Sequence, residues 1–460
     1  MTKPVKFWQF GCWNNLNIDK NGNSVGRMKD VIDYIKETEA PDFLIISGDN
    51  YYPGKTKAKK EEKKEEKKEE KKEEKKEKKD KDKDDTTTKR KTIFKDKLIE
   101  GLQYLPEDIP INMLLGNHDL ETNNKNNLFI ATSASEEVKP ENRECEIIKL
   151  ELEALTKKTN VDYFFFKSER LNNNTLLLMI DTSIYEPGND ANDYIPCYNI
   201  FLGAKEKMSP FQNITDLRSY QLEKINRAIE DNKSIKHLII VGHHPIYQLK
   251  NKTSGDPPVN KVTDKSDISV DFTPVLKTIF EKLGSTTNYY YLCSDLHLYQ
   301  TGSIKIGFKI IEETMNIVQY IVGTGGTELD PALPATVTPT YTSNLRNSTI
   351  TYTFISEIHN HGFLECIIEE NEDPSFEFIP IVDIPIVDIP IPRPRAIIKA
   401  LSRSKALSRT RPIIRARTRA ITRARSRSIR RHRSIGGKSL KRSVRKTHKK
   451  NYKKNYKKNY

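Results

Sequence analysis

Short apolar runs that stop abruptly at a turn recur along this chain, and they constrain its fold more than any other feature. Phe43–Ile46 runs into Ser47-Gly48-Asp49-Asn50, Ile111–Leu115 into Gly116-Asn117-His118-Asp119, and Ile239–Val241 into Gly242-His243-His244-Pro245. Val5–Phe10 exits into Gly11-Cys12-Trp13-Asn14, and Tyr289–Cys293 into Ser294-Asp295-Leu296-His297. Runs of this length, rich in Ile, Leu, Phe and Tyr and bounded by turn residues, read as buried strands. Gly242 lets the backbone turn tightly, and Pro245 stops the strand from continuing.

Between the first two strands, Val25, Met28, Ile32 and Ile35 recur at helical spacing. Strand, helix, strand of this length predicts a right-handed βαβ unit with a parallel pair. Its glycine-containing exits then lie on one edge of a sheet, where α/β folds carry their sites. Further helices are predicted from Phe94, Leu98, Leu102 and Leu105, across Asp216–Asp231, and across Phe272–Leu283. Val161–Phe166, Leu176–Ile180, Ile317–Val322 and Phe363–Ile368 read as additional strands, whereas Glu121–Asn160 is polar and poorly patterned.

The length of 460 residues is enough for a sizeable core. An apolar share of only 36% and a charged share of 31% trace to low-complexity segments. The net charge is +15, yet 27 of the 78 Lys and Arg residues follow Ile389, where no Asp or Glu occurs; 51 basic residues then face 63 acids in the remainder. The globular part is therefore mildly acidic, and the basic balance belongs to a tail. Lys55–Lys91 is built on KKEE repeats. In a period-four repeat every i,i+4 pair is like-charged, which disfavours a helix, and no apolar seam exists for a coiled coil. A solvated, largely disordered insert is expected. The implied organisation is a globular domain over residues 1–54 and 93–378, interrupted by the insert at 55–92. A Pro-punctuated linker follows at 379–392, then a basic Arg/Ser/Lys-rich tail at 393–460. Five scattered cysteines with no CxxC pair suggest no disulfide framework. With no signal-like start and no apolar run near the roughly 18–20 residues of a membrane span, the expectation is a soluble intracellular protein without membrane contact. The tail adds a nuclear or nucleoprotein association and a nucleic-acid partner as further expectations.

Five exits need one explanation: Cys12/Asn14, Asp49/Tyr52, Asn117/His118, His243/His244 and Asp295/His297. Carboxylate, amide oxygen, imidazole and phenolate suit borderline metals such as Zn, Mn and Fe. Two such ions close together clamp a phosphoryl group. Asp49, on a tight Gly-Asp turn, is the natural bridging carboxylate. Each motif alone is weak, but the ordered series GDN, GNHD, GHHP and D-x-H, each after an apolar strand, is specific.

That series resembles the calcineurin-like metallophosphoesterase superfamily, and Gly48-Asp49-Asn50-Tyr51-Tyr52 is similar to the GDNxY signature of its purple acid phosphatase branch. The resemblance covers about residues 5–370 without the insert. Gln221-Leu222, Gly323-Thr324-Gly325-Gly326 and Asn360-His361-Gly362-Phe363-Leu364 have counterparts there. It implies an α/β fold, a four-layer α/β/β/α sandwich of two mixed sheets. It also implies two divalent or trivalent ions (Zn, Mn or Fe) and hydrolysis of a phosphomonoester or phosphodiester by a metal-bound hydroxide. Asp49 then resembles the bridging ligand, and Tyr52 and His297 resemble ligands of the first metal. Asn117 and His243 resemble ligands of the second. His118 resembles the histidine that assists the leaving oxygen, and His244 is left substrate-side or structural.

Two positions depart from the family pattern. Cys12 stands where the family has Asp, and Ser294-Asp295-Leu296-His297 stands where it has Gly-His-Asp-His. Both substitutes bind metals as anions, and a thiolate favours Zn over Mn or Fe(III). Cys12 has the alternative of being a small core residue. Asn14 stands where related members place a ligand and is a candidate to compensate. Asp181 reads as structural, His237 as an ordinary solvent-facing residue, and His359 and His361 as loop residues that reach the site rim or do not. An active phosphoesterase and a pseudophosphatase that binds phosphorylated or nucleic-acid partners therefore both follow from the sequence.

Overall fold

The computed structural model describes residues 3–15, 26–51, 99–120, 145–186, 190–254, 259–265, 268–334 and 340–381. Tyr52, the KKEE insert, the repeat beyond residue 381 and the basic tail lie outside the described residues. By its contacts the chain divides into two units, Met1–Asp383 and Ile384–Tyr460, and every described residue belongs to the first.

Two mixed sheets organise that unit. In the first, β1 (Val5–Phe10), β2 (Phe43–Ser47), β3 (Ile111–Leu114) and β4 (Val161–Tyr163) run parallel, and β15 (Gly362–Ile368) and β16 (Ser375–Pro380) add on antiparallel beside β1. In the second, β6 (Thr175–Ile180), β7 (His237–Val241), β10 (Asn288–Cys293) and β12 (Glu313–Val322) are the parallel strands. β5 (Phe166–Arg170) lies antiparallel on one side, and β11 (Tyr299–Phe308), β14 (Ser348–Ile358) and β13 (Thr340–Asn344) on the other. A separate hairpin, β8 (Gln248–Ser254) and β9 (Val259–Lys265), follows the GHHP turn. Strands buried on both faces read as continuous apolar runs, and β2, β3, β6 and β7 are buried at every position. Aromatic pairs join the sheets face to face: Phe376 of β16 meets Tyr290 and Tyr320 at 4.9 and 4.8 Å, and Phe378 meets Tyr299 at 4.3 Å.

Helix α1 (Met28–Glu37) buries Met28, Val31, Ile32 and Ile35, the stripe its sequence spacing predicts. A short helix, α2 (Asn117–Leu120), begins directly at the GNHD turn. Helices α3 (Glu146–Leu155) and α4 (Ile195–Glu206) fall in segments with weaker patterns, and α4 is amphipathic only in part. α5 (Ile214–Glu230) is capped by Asn213, whose side-chain oxygen accepts the Asp216 N–H at 2.9 Å. α6 (Ser269–Leu283) completes the set used below.

Three expectations need correction. Val161–Phe166 is not one strand: the chain turns a corner at the buried Phe164 and Phe165 and passes from the first sheet to the second. Cys145 and Cys197 form a disulfide, which cysteine spacing gave no reason to pair because the two stand on different helical segments. His237 is buried, since it opens β7 between Thr175 and Asn288 of the flanking strands. Among the described residues no helix is long and apolar enough to cross a membrane.

Candidate metal centre

The parallel strands of both sheets aim their C-terminal ends at one place. β1, β2 and β3 deliver Cys12, Asp49 and Asn117; β6, β7 and β10 deliver Thr182, His243 and Asp295. The exits interlock through backbone hydrogen bonds: Cys12 N–H donates to Gly48 O at 3.1 Å and Ser294 N–H to His243 O at 2.8 Å. Cys12, Asp49 and Asp295 all take left-handed backbone conformations, with φ of 54°, 55° and 59°. Such a conformation costs a residue with a Cβ about 1–3 kcal/mol and persists only where its surroundings impose it. Asp tolerates it better than Cys, so the turn at Cys12 is the more strained of these.

The donors fall into two groups that share a wall. Cys12, Asp49 and His297 offer ligand atoms within 4.8 Å of one another, as do His243, His244 and Asp295. The Cys12 sulfur lies 3.8 Å from Asp49 Oδ2, and Asp49 Oδ1 lies 3.2 Å from His243 Nε2. Asp49 thus touches both groups. His243 Nε2 is also 3.9 Å from Asp295 Oδ1. On the other side of the ring, His243 Nδ1 is 2.8 Å from the Ser47 carbonyl oxygen. A carbonyl only accepts, so Nδ1 carries a proton, and Nε2 is the nitrogen that faces the carboxylates and would offer its electron pair to a cation there. Burial opposes a charged ring here, but Asp49 and then Asp295 outweigh it and raise His243 to about 9. The field that holds a proton at that position equally favours a cation.

The fit to a metal ion rests on buried donor atoms. Asn117 Oδ1 is buried without a hydrogen-bond partner, and His243 Nε2 faces the Asp49 and Asp295 carboxylates at 3.2 and 3.9 Å. Buried polar atoms are rarely left unsatisfied, and a cation between these groups serves all of them. Burial lowers the pKa of His297, favouring the neutral ring a metal requires. Its backbone N–H is held by Asp330 Oδ2 at 2.9 Å, and Lys250 pairs with Asp330 Oδ1 at 2.9 Å.

The structure brings Cys12, Asp49, His243, Asp295 and His297 together, with Asn117 and His118 beside them on α2. His118 donates its backbone N–H to Asp49 Oδ1 at 3.2 Å. His244 is near the second group, but its Nε2 meets Glu186 at 3.0 Å and its Nδ1 meets Thr182 Oγ1 at 3.3 Å. Asn14 is buried against Gly101 of a helix over 99–104. Tyr52 lies outside the described residues. Asp181 caps its own turn by accepting Ser183 N–H at 2.9 Å. His359 reaches Asp330 O at 2.8 Å.

Sequence reasoning passed over four supporting residues. Thr182 Oγ1 accepts the N–H groups of His243 and His244 at 3.0 and 2.9 Å. Asp119 accepts from the backbone of Asn50 and Gly116, tying the GDN turn to GNHD. Burial, then the charge of Asp49, push Asp119 up to about 7. Glu186 and Asp330 are the others. Asp119 stood inside the quoted GNHD turn and Thr182 directly after Asp181; Glu186 and Asp330 carried no local signal.

The model of the calcineurin-like phosphoesterase family matches residues 5–273. Among solved structures, a purple acid phosphatase from yellow lupin (Lupinus luteus) seeds is 12% identical with a TM-score of 0.37, covering 83% of this chain. The chain spans about half, 52%, of that structure's length. A second solved chain is 14% identical with a TM-score of 0.30, over 63% of this chain and 84% of its own. No curated protein matches.

Proposed function

The chain belongs to the calcineurin-like phosphoesterase family, and from that premise we propose that it hydrolyses a phosphomonoester or phosphodiester at a binuclear centre shared by the two sheets. The observation that carries this reading is the position of Asp49, in contact with Cys12 on one side and His243 on the other. Cys12, Asp49 and His297, with Tyr52, would hold one ion. Asp49, Asn117, His243 and Asp295 would hold the other. When bound, two such ions neutralise phosphoryl charge and lower the pKa of water.

This chain's own residues supply the rest. Asp49 presents one oxygen to each subsite. Ser47 fixes the tautomer of His243. His118, on the first turn of α2 with its backbone N–H on Asp49 Oδ1, would meet a leaving oxygen and hand it a proton. The donor sets differ in softness: a thiolate subsite favours Zn, while the oxygen-rich subsite of Asp49, Asn117 and Asp295 accommodates Mn or Fe. Purified protein with bound metal that hydrolyses p-nitrophenyl phosphate in the presence of Zn, Mn or Fe supports the reading. Bound metal with no turnover under any of these ions supports the pseudophosphatase, a reading favoured by the two departures at Cys12 and Asp295. No metal uptake at all overturns the binuclear centre. The 27 basic residues after Ile389 support a nucleic-acid partner for the tail.

A further inference from the structure

Glu186 leaves the 3-10 turn Ser183–Tyr185, its backbone N–H bonded to Ser183 O at 3.3 Å. Its side chain is only 14% exposed and hydrogen-bonds to Asn117, His244 and Tyr194. Oε1 accepts from Asn117 Nδ2 at 3.2 Å and meets His244 Nε2 at 3.0 Å; Oε2 accepts from the Tyr194 hydroxyl at 2.7 Å. Tyr194 is buried and immediately precedes α4. The carboxylate therefore links three segments that are far apart in sequence.

Each link fixes an orientation. An ionised carboxylate only accepts, so the Asn117 amide must turn its NH2 toward Glu186. A flipped amide would set oxygen against oxygen. Asn117 Oδ1 is thereby directed away from Glu186, and it is the buried oxygen without a hydrogen-bond partner. For His244 the reasoning runs from Thr182. Its Oγ1 already accepts two backbone N–H groups, so its own proton is left for His244 Nδ1. Nε2 then carries the ring proton and gives it to Glu186. Both nitrogens of His244 are used, which leaves the ring no lone pair for a metal despite its closeness to His243 and Asp295.

We propose that Glu186 is the positioning residue of the second metal subsite: it aims Asn117 Oδ1 at the ion and holds the His244 ring by its Nε2–H so that it does not coordinate. The proposal rests on the reading of Asn117 as a ligand of that subsite. Partners behind a metal ligand typically change metal affinity by about 10–100-fold when removed.

The test is titration of the full-length chain with Mn2+ and with Zn2+, read as ions bound per chain and affinity of each, for the wild type, Asn117→Ala, Glu186→Ala, Glu186→Asp and Glu186→Gln. Glu186→Ala and the shortened Glu186→Asp are expected to weaken one ion by about 10–100-fold and leave the other at wild-type affinity. Glu186→Gln, which keeps an oxygen for Asn117 and His244 and an amide for Tyr194, is expected to recover most of the loss. Asn117→Ala weakening one ion while Glu186→Ala and Glu186→Asp bind as wild type overturns the role of Glu186 and leaves the centre standing. Wild-type affinities in Asn117→Ala as well overturn both. If Glu186→Ala does not fold, Glu186→Asp alone decides by the same criterion.

Discussion

A Cβ on Gly116 would stand 2.3 Å from Oδ1 of Asp49 and 2.3 Å from its backbone nitrogen. No real Cβ makes such contacts, so the exits of β2 and β3 approach as closely as they do only because residue 116 has no side chain. The same added atom would come 3.0 Å from the His243 ring. Gly116→Ala is expected to push the Asp49 turn aside, costing about 1–3 kcal/mol as an overpacked site and lowering the metal content. Thermal unfolding and metal analysis check this together. Unchanged values in both would mean that the loop relaxes freely and that Asp49 is not rigidly placed.

The disulfide offers a second measurement. Cys145 and Cys197 are 52 residues apart in sequence, and the bond ties the start of α3 to α4. Closing a loop of that length restricts the unfolded chain, and such bonds contribute about 2–4 kcal/mol. Cys197→Ser, or reduction, is expected to lower Tm by several degrees. It also loosens α4, next to the Tyr194 that holds Glu186. An identical Tm with and without reductant would show the bond to be energetically idle.

How much of this was legible in the sequence differs by feature. The parallel strands were readable because both of their faces are buried, so β2, β3, β6 and β7 appear as apolar runs. The exits were readable because Gly48 adopts positive φ and Gly116 stands in close approach, and both demands select glycine. The antiparallel flanks were harder. β14 reads STITYTFISEI, with mixed burial and no run. Helix α3 was hidden in a polar segment. Among site residues, those inside the turn motifs were visible. Glu186 was not, because the role proposed for it comes from contacts with Asn117, His244 and Tyr194, and only Tyr194 is near it in sequence. Asn14 neighbours Cys12 in sequence and packs against Gly101.

Cys12 gives the third prediction. It is buried, in strained backbone, with its sulfur 3.8 Å from an Asp49 oxygen. Cys12→Asp replaces a soft donor with a hard one, and metal preference is expected to move from Zn toward Mn or Fe. Asp also accepts the left-handed conformation more readily than Cys, so stability is expected to hold or rise. Metal content after exposure to an equimolar mixture of ions is the measurement. No change in metal identity or rate would place Cys12 outside the ligand set, as a core residue that happens to face Asp49.

The last prediction concerns residues after Ile391. This segment holds all 27 of the basic residues counted beyond Ile389 and no acid, and it ends in KKNY repeats. Lys and Arg neutralise phosphates, and interleaved Tyr provides faces on which bases stack, a combination suited to single strands. Binding through it is expected to fall steeply with salt, with a log–log slope of about −0.7 for each phosphate contact on a single strand. Sequence preference is expected to be slight, because phosphate contacts carry no base information. Phosphorylation of the serines in the RS steps adds about −1.5 to −2 charges each and is expected to weaken the complex. Titration of labelled single strands with the full chain and with a chain ending at Ile391, at two salt concentrations, separates the tail from the globular unit. Equal affinities for the two proteins would remove nucleic-acid binding from the tail and leave its charge to serve as an import signal or a general polyanion contact.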